Sequence, residues 1–258
     1  MKEHVWIPSR GKNISAMVHL PEGFGPQRPL VICCHGFTGD KVGNSQLTRN
    51  LALALADSGF GVLRFDYLGS GESDGDFAVE TSVAHWQEDL RNVLNWAAGQ
   101  PQLASSPWVL YGHSLGGLIA LSHPDDADRI TARIVFAPVI HATANFRDII
   151  FGPDLWQRSR SGETLANFFD KGFRLESQFV QDLERNDYHG TAAAAAYRTP
   201  LLIVHGTKDV VVPPAGSQEL YTAYAGEKEL VELEMDHVAS GSQELLYDVI
   251  AKWLQRRA

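Results

Sequence analysis

Hydrophobic residues along this chain fall into short, predominantly apolar runs separated by stretches with helical spacing. The runs at 30–34, 61–66, 108–111, 130–137 and 201–205 have the length of strands, and their near-continuous apolar character is that of strands covered on both faces. Between them, 46–58 has helical spacing and stops at Gly59, and 82–98 places Val83, Trp86, Leu90, Val93, Leu94 and Ala97 on one helical side. A helix over 218–225, a strand over 229–233 and a last helix over 243–256 follow. Upstream, 5–7 and 14–20 read as two strands joined by a turn within 9–13, an antiparallel lead-in to the sheet. Strands alternating with helices predict an α/β fold with a mostly parallel central sheet, right-handed crossovers and helices on both faces.

From 139 to 198 this rhythm breaks and no clean strand is predicted. Aromatic residues (Phe146, Phe151, Trp156, Phe168, Phe169, Phe173, Phe179, Tyr188) are scattered among charges instead. The division that follows is a core made of 1–138 and 199–258, with 139–198 inserted as a lid. Arriving after the strand at 130–137, such a lid would lie over the C-terminal ends of the strands, where open α/β sheets bind ligands.

Composition narrows the function. At 258 residues the chain fits one large α/β domain with an insertion. A net charge of −9 argues against a nucleic-acid surface or a polybasic membrane contact. No run approaches the roughly 18 apolar residues of a membrane span, and residues 1–8 lack the apolar core of a signal peptide. The two cysteines, Cys33 and Cys34, are adjacent in one strand and point to opposite faces, so free buried thiols in a reducing cytoplasm are expected. The histidines are dispersed, H-E-x-x-H and Walker A sequences are absent, and Gly69-Ser70-Gly71 is only a fragment of a dinucleotide fingerprint, so neither metal nor cofactor is expected. The oligomeric state is not legible.

Candidate chemistry centres on Gly112-His113-Ser114-Leu115-Gly116, which ends one apolar run and opens another. A G-x-S-x-G motif between a strand and a helix is a nucleophile elbow. The turn leaves no room for a Cβ two positions either side of the serine, and its hydroxyl projects at a helix N-terminus that favours developing negative charge. A second match, Gly71-Glu72-Ser73-Asp74-Gly75, lies in a polar, glycine-rich stretch with no apolar helix behind it and reads as a loop.

With Ser114 on its strand, further pieces resemble the α/β-hydrolase superfamily in chain order. His35-Gly36-Phe37-Thr38 follows the first apolar parallel strand, Asp209 follows the strand at 201–205, and His237 follows the strand at 229–233. The order Ser, Asp, His is that of the superfamily. Its loops, His35-Gly36-Phe37-Thr38-Gly39-Asp40-Lys41 above all, and the size of the insertion are similar to those of small bacterial feruloyl (cinnamoyl) esterases.

The resemblance implies a serine hydrolase of carboxylic esters. Ser114 would be the nucleophile, His237 the general base and Asp209 the group orienting it, with the backbone N–H groups of Phe37 and Leu115 as oxyanion hole. Asp236 is a rival acid whose side chain should point away from that of its neighbour. His205 and His35 read as structural, His113 as an edge residue, and Asp66 as a brace for nearby loops. The expected partner is a small-molecule ester with a feruloyl, other small aromatic or short acyl group. Trp156 leads as substrate-binding residue, and Asp148, Gln157 or Tyr188 could bind a phenolic hydroxyl. A thioesterase, monoglyceride lipase or peptidase would use the same triad, and a ligand receptor with vestigial turnover would keep only the pocket.

Overall fold

Two strands open the chain. β1 (Lys2–Ser9) pairs with β2 (Lys12–His19) across a two-residue turn in which Arg10 and Gly11 take φ of 45° and 73°, the twist that suits an antiparallel hairpin. Then follow β3 (Leu30–Cys34), α1 (Leu47–Asp57), β4 (Gly61–Phe65), the single turn α2 (Phe77–Glu80), α3 (Val83–Ala98), the short α4 (Pro101–Ala104), β5 (Trp108–His113), α5 (Leu115–Ser122) and β6 (Ile130–Phe136). Residues 139–198 carry α6 (Ala142–Asn145), a π-helical turn (Phe146–Ile150), α7 (Gly152–Arg160), a small antiparallel pair β7 (Leu165–Phe168) and β8 (Phe173–Leu175), α8 (Gln178–Asn186) and α9 (Gly190–Ala194). The chain closes with β9 (Leu201–Gly206), α10 (Ala215–Ala223), β10 (Lys228–Leu233) and α11 (Gln243–Gln255). This computed structural model describes residues 1–124, 129–168 and 172–257. Phe169, one of the insertion's aromatics, lies outside the described residues.

Eight strands form one sheet in the order β1-β2-β4-β3-β5-β6-β9-β10. Every pairing is parallel except β1 with β2 and β2 with β4, so β2 alone runs against the rest. The fully apolar strands are explained by where successive side chains go. Leu30, Ile32 and Cys34 join the core that holds Trp86 and Leu90 of α3 and Leu118 of α5. Val31 and Cys33 join the core that holds Leu51 and Leu55 of α1 and Trp253 of α11. Each large apolar side chain so buried contributes about 1.5–3 kcal/mol. The two free cysteines therefore face opposite layers, and burial pushes their thiols up, that of Cys34 to about 12.

α3 shows how the core and the inserted stretch are tied together. Ser82 caps it by accepting from the His85 N–H at 3.1 Å, and Asp182 of α8 accepts from the N–H groups of Val83 (2.9 Å) and Ala84 (3.2 Å). The helix ends at Gly99.

Two differences from the sequence reading have simple causes. The helix expected over 218–225 begins earlier, at Ala215, because Pro214 caps it; a Pro-Pro-Ala-Gly stretch resembles a loop although proline is well tolerated at a helix start. The pair β7 and β8 lies where no clean strand was expected, because strands of 4 and 3 residues are too short to display a period of two.

Candidate active site

Ser114 stands alone between β5 and α5 with φ 56° and ψ −122°, a backbone state that costs a non-glycine residue about 1–3 kcal/mol. The motif glycines are fixed by contact. A Cβ on Gly112 would lie 2.3 Å from the Gly116 carbonyl oxygen, and one on Gly116 would lie 2.3 Å from that of Cys34. Gly36 belongs to the same arrangement: its Cβ would fall 3.0 Å from Cβ of Ser114, so the backbone of the loop after β3 abuts the serine. Leu115 begins α5 immediately after Ser114, and Phe37 lines the cleft into which Ser114 opens.

The turns after β9 and β10 bring Asp209 and His237 to this point. Nε2 of His237 lies 3.0 Å from Oγ of Ser114, and its Nδ1 lies 2.7 Å from Oδ2 of Asp209. A carboxylate only accepts, so Nδ1 carries the hydrogen and Nε2 is left to accept from the serine. Oδ1 of Asp209 takes the N–H groups of Val211 and Val212, both at 2.9 Å. Burial pushes the Asp209 carboxyl up, but hydrogen bonds from His205 and His237, the electrostatic pull of the His237 ring and the Val212 N–H outweigh it and hold the group well below the usual carboxylate range.

Other histidines support this geometry. His205 is fully buried, with Nε2 2.8 Å from the Val212 oxygen and 3.3 Å from Oδ2 of Asp209, and Nδ1 2.6 Å from Oγ of Ser217. Nε2 of His113 donates to the main-chain oxygen of His237 at 2.8 Å while the ring stacks on Phe136. Burial, reinforced by the nearby His237, holds His113 down to about 3. Nδ1 of His35 donates to the Gly36 oxygen at 2.9 Å and Nε2 accepts from the Tyr67 N–H, shaping the loop from inside. Asp236 accepts from the Val238 and Ser240 N–H groups and so folds the turn that carries His237. Gly206 is needed there too, since a Cβ would lie 2.2 Å from the Met235 oxygen.

The cleft over Ser114 has a volume of about 360 Å³. Ile150, Val210, Val211 and Val238 supply apolar walls, and Asn44, Lys208 and Asp236 supply polar ones. Trp156 is not among its lining residues. It lies buried in the inserted stretch, its ring 6.2 Å from that of Phe151, because α7 turns Trp156 and Ser159 inward and its charged residues outward. Ile150 reaches the cleft instead. The polar candidates lie elsewhere: Asp148 pairs with Arg147, Gln157 is exposed, and the Tyr188 hydroxyl donates to Asp182 at 3.0 Å. Phe37 packs against residues 139–198, stacking on Phe179 at 4.9 Å and meeting Phe146 edge-on at 5.1 Å.

Ser73 is spent on its own loop, donating to the Asp66 oxygen and accepting from the Ser15 N–H, both at 2.8 Å. Asp66 is buried and takes the Lys41 ammonium at 2.6 Å and the Glu72 N–H at 2.9 Å, bracing two loops. Among the described residues, no group of three or more His, Cys, Asp or Glu is arranged to hold a metal ion, and no helix is long and apolar enough to cross a membrane.

The sequence profile of the family described as "Serine aminopeptidase, S33" matches residues 25–171, and that of "Serine hydrolase (FSH1)" matches residues 169–243. An uncharacterized 31.7 kDa protein from the traX-finO intergenic region of Escherichia coli is 29% identical over 252 residues, with 86% of each chain covered. A monoacylglycerol lipase of Mycolicibacterium smegmatis is 23% identical over 278 residues, covering 98% of this chain and 96% of the lipase. Among solved structures, Est1E from Butyrivibrio proteoclasticus with bound ferulic acid superimposes with a TM-score of 0.80 over 98% of each chain, at 24% identity, a likeness of fold.

Proposed function

The chain belongs to the serine hydrolases of the α/β-hydrolase superfamily, in the family described as serine aminopeptidase S33, and from that premise we propose that it hydrolyses carboxylic esters through an acyl-enzyme on Ser114. The observation that carries the reading is the chain of contacts from Ser114 Oγ to His237 Nε2 at 3.0 Å and from His237 Nδ1 to Asp209 at 2.7 Å.

In this mechanism Ser114 Oγ attacks the acyl carbon and its proton passes to Nε2 of His237. Asp209 keeps Nδ1–H in place and stabilises the imidazolium. The carbonyl oxygen takes the negative charge and is held by the N–H groups of Phe37 and Leu115, each worth about 3 kcal/mol in the transition state. Nε2–H then protonates the leaving alcohol as the C–O bond breaks. Water enters, gives its proton to His237 and releases the acid, returning the proton to Ser114.

The acyl group is small, and aromatic or short. A cleft of about 360 Å³ is near the lower end for small-molecule sites, about 300–1,000 Å³, and its apolar walls suit a ring or short chain better than a long acyl tail. The likeness of fold to a protein that holds ferulic acid supports a feruloyl-type ester. The stretch 139–198 acts as lid, contributing Ile150 to the cleft. Buried, free Cys33 and Cys34 support a reducing compartment such as the cytoplasm.

The family description itself favours a second reading, an aminopeptidase on the same triad. A substrate panel separates the two: acetate, butyrate, octanoate and ferulate esters beside an alanine anilide. The proposal expects the ferulate and short-chain esters to turn over fastest. A clear preference for octanoate overturns the acyl assignment, and a preference for the anilide establishes the peptidase.

A further inference from the structure

A second group of titratable side chains sits where the inserted stretch joins the core. His141 and His189, 48 residues apart, face each other in an isolated antiparallel bridge. Main-chain hydrogen bonds frame them, from the Ala142 N–H to the Tyr188 oxygen (3.2 Å) and from the Gly190 N–H to the Ile140 oxygen (2.8 Å). Bonds on the flanking residues make this the non-hydrogen-bonded type of cross-strand pair, in which side chains on one face come closest. The two Nδ1 atoms meet at 3.1 Å with the rings at 88°. Nε2 of His141 lies 2.6 Å from Oε2 of Glu219 on α10, whose other oxygen accepts from the Thr191 hydroxyl at 3.0 Å. Nε2 of His189 lies 3.6 Å from Oδ2 of Asp187. The His141 and His189 side chains are 40% and 39% exposed, so the pair is open to solvent ions.

We propose that His141 and His189 form a chelating site for a divalent transition-metal ion such as Zn²⁺, separate from the hydrolytic centre. Two nitrogens bound to one tetrahedral zinc at 2.0–2.1 Å lie about 3.3 Å apart, so the backbone already holds these imidazoles near the required bite. Imidazole suits zinc, copper and nickel. Metal-bound imidazoles ordinarily donate their other N–H to a carboxylate or carbonyl, and here each distal nitrogen faces a carboxylate.

In the ion-free pair His141 carries its hydrogen on Nε2, facing Glu219, and its Nδ1 accepts from Nδ1–H of His189. The ion replaces that hydrogen bond. The His189 proton moves to Nε2, facing Asp187, both Nδ1 lone pairs go to the metal, and water completes the coordination. Two protein donors make an exchangeable site, unlike the three or four of a resident catalytic or structural metal. Its occupancy would tie the chain just before α6 to the chain just before α9, and Glu219 would tie both to α10.

Titration calorimetry with ZnCl₂ on the intact protein, in a non-chelating buffer at neutral pH, tests this. The expected result is a saturable site that is lost in His141→Ala and His189→Asn, is weakened on the order of tenfold in Glu219→Gln, and weakens in the native protein as pH is lowered. Zinc should raise Tm in the native protein and not in the double variant. Absence of saturable binding overturns the proposal, and so does binding unchanged in the His141→Ala, His189→Asn double variant, in which zinc would sit on His237 or another histidine. Should the double variant fail to fold, the imidazole nitrogen resonances of the native protein decide. Zinc must shift those of His141 and His189, and unshifted signals contradict the site.

Discussion

Nε2 of His205 lies 3.3 Å from Oδ2 of Asp209, the oxygen that also accepts Nδ1–H of His237 at 2.7 Å. Because Nε2 of His205 faces a second acceptor, the Val212 oxygen at 2.8 Å, it carries the hydrogen, and Nδ1 accepts from Ser217. Asp209, the acid of the proposed triad, is thus held from behind by a buried imidazole. His205→Ala should lower kcat by about ten- to a hundredfold with little change in KM, as expected for a small displacement of a catalytic group. It should also cost about 1–3 kcal/mol through the partners left unpaired. Steady-state kinetics beside thermal melts check this, and a variant of native kcat would reduce His205 to a support of the fold.

His113 holds His237, the proposed base, as His205 holds Asp209, donating to the main-chain oxygen of His237 at 2.8 Å. His113→Phe keeps the stack on Phe136 but removes the donor. Its kcat/KM should fall about tenfold or more through displacement of the His237 turn, with secondary structure by circular dichroism unchanged. Native kcat/KM in this variant would show that the turn holds itself.

Close backbone approach separates two glycines. Gly116→Ala forces a Cβ to 2.3 Å from the Cys34 oxygen, backbone against backbone, and should abolish soluble folded protein. Gly36→Ala meets the Ser114 Cβ at 3.0 Å, a contact the loop can relieve by shifting, so the protein should fold and lose kcat as the Phe37 N–H moves off the oxyanion. Comparing expression, melting and turnover of the two variants tests the distinction.

Buried histidines draw stability down in acid, His35 among them, whose burial holds it below the ordinary imidazole range, beside His19 and His113. Burial, helped by nearby Arg64, holds His19 down to about 4, and burial with His237 holds His113 down to about 3. Unfolded, both take a proton near the ordinary value of about 6.5, so below that pH the unfolded state binds more protons and stability falls. The loss should be up to about 1.4 kcal/mol per pH unit for each ring, ending near pH 4 for His19 and near pH 3 for His113. Asp209, held low, adds its own loss once pH falls below its ordinary value of about 3.8. Urea midpoints at pH 7, 6 and 5 measure the slope, and His19→Gln should flatten it by one ring. Constant stability across that range would contradict the assignment.

What could be read from the sequence is what local physics fixes. The apolar runs became strands because both faces of β3 to β6 and β9 are covered. The Ser114 elbow was legible because its glycines record the exclusion of a Cβ by atoms such as the Cys34 oxygen. Asp209 and His237 were legible from their places after successive strands. Roles that depend on distant partners were not. The His113 bond spans 124 residues, and the His205 contact needs a turn to fold back on its own strand. Trp156 is buried without lining the cleft, since an amphipathic helix reports that a face is buried without saying whether it meets a cleft or a core. Ile150, at the end of a π-helical turn, carried no signal. His141 and His189, 48 residues apart, became neighbours through an isolated antiparallel bridge that no local pattern announces.

Labelling with a fluorophosphonate, read by mass spectrometry of the intact protein and its peptides, tests the central claim most directly. A nucleophilic Ser114 gives one covalent adduct, on that residue, with loss of ester turnover in proportion to labelling, and neither adduct nor turnover in Ser114→Ala. An adduct on another residue such as Ser73, no adduct at all, or ester turnover unchanged in Ser114→Ala would contradict it.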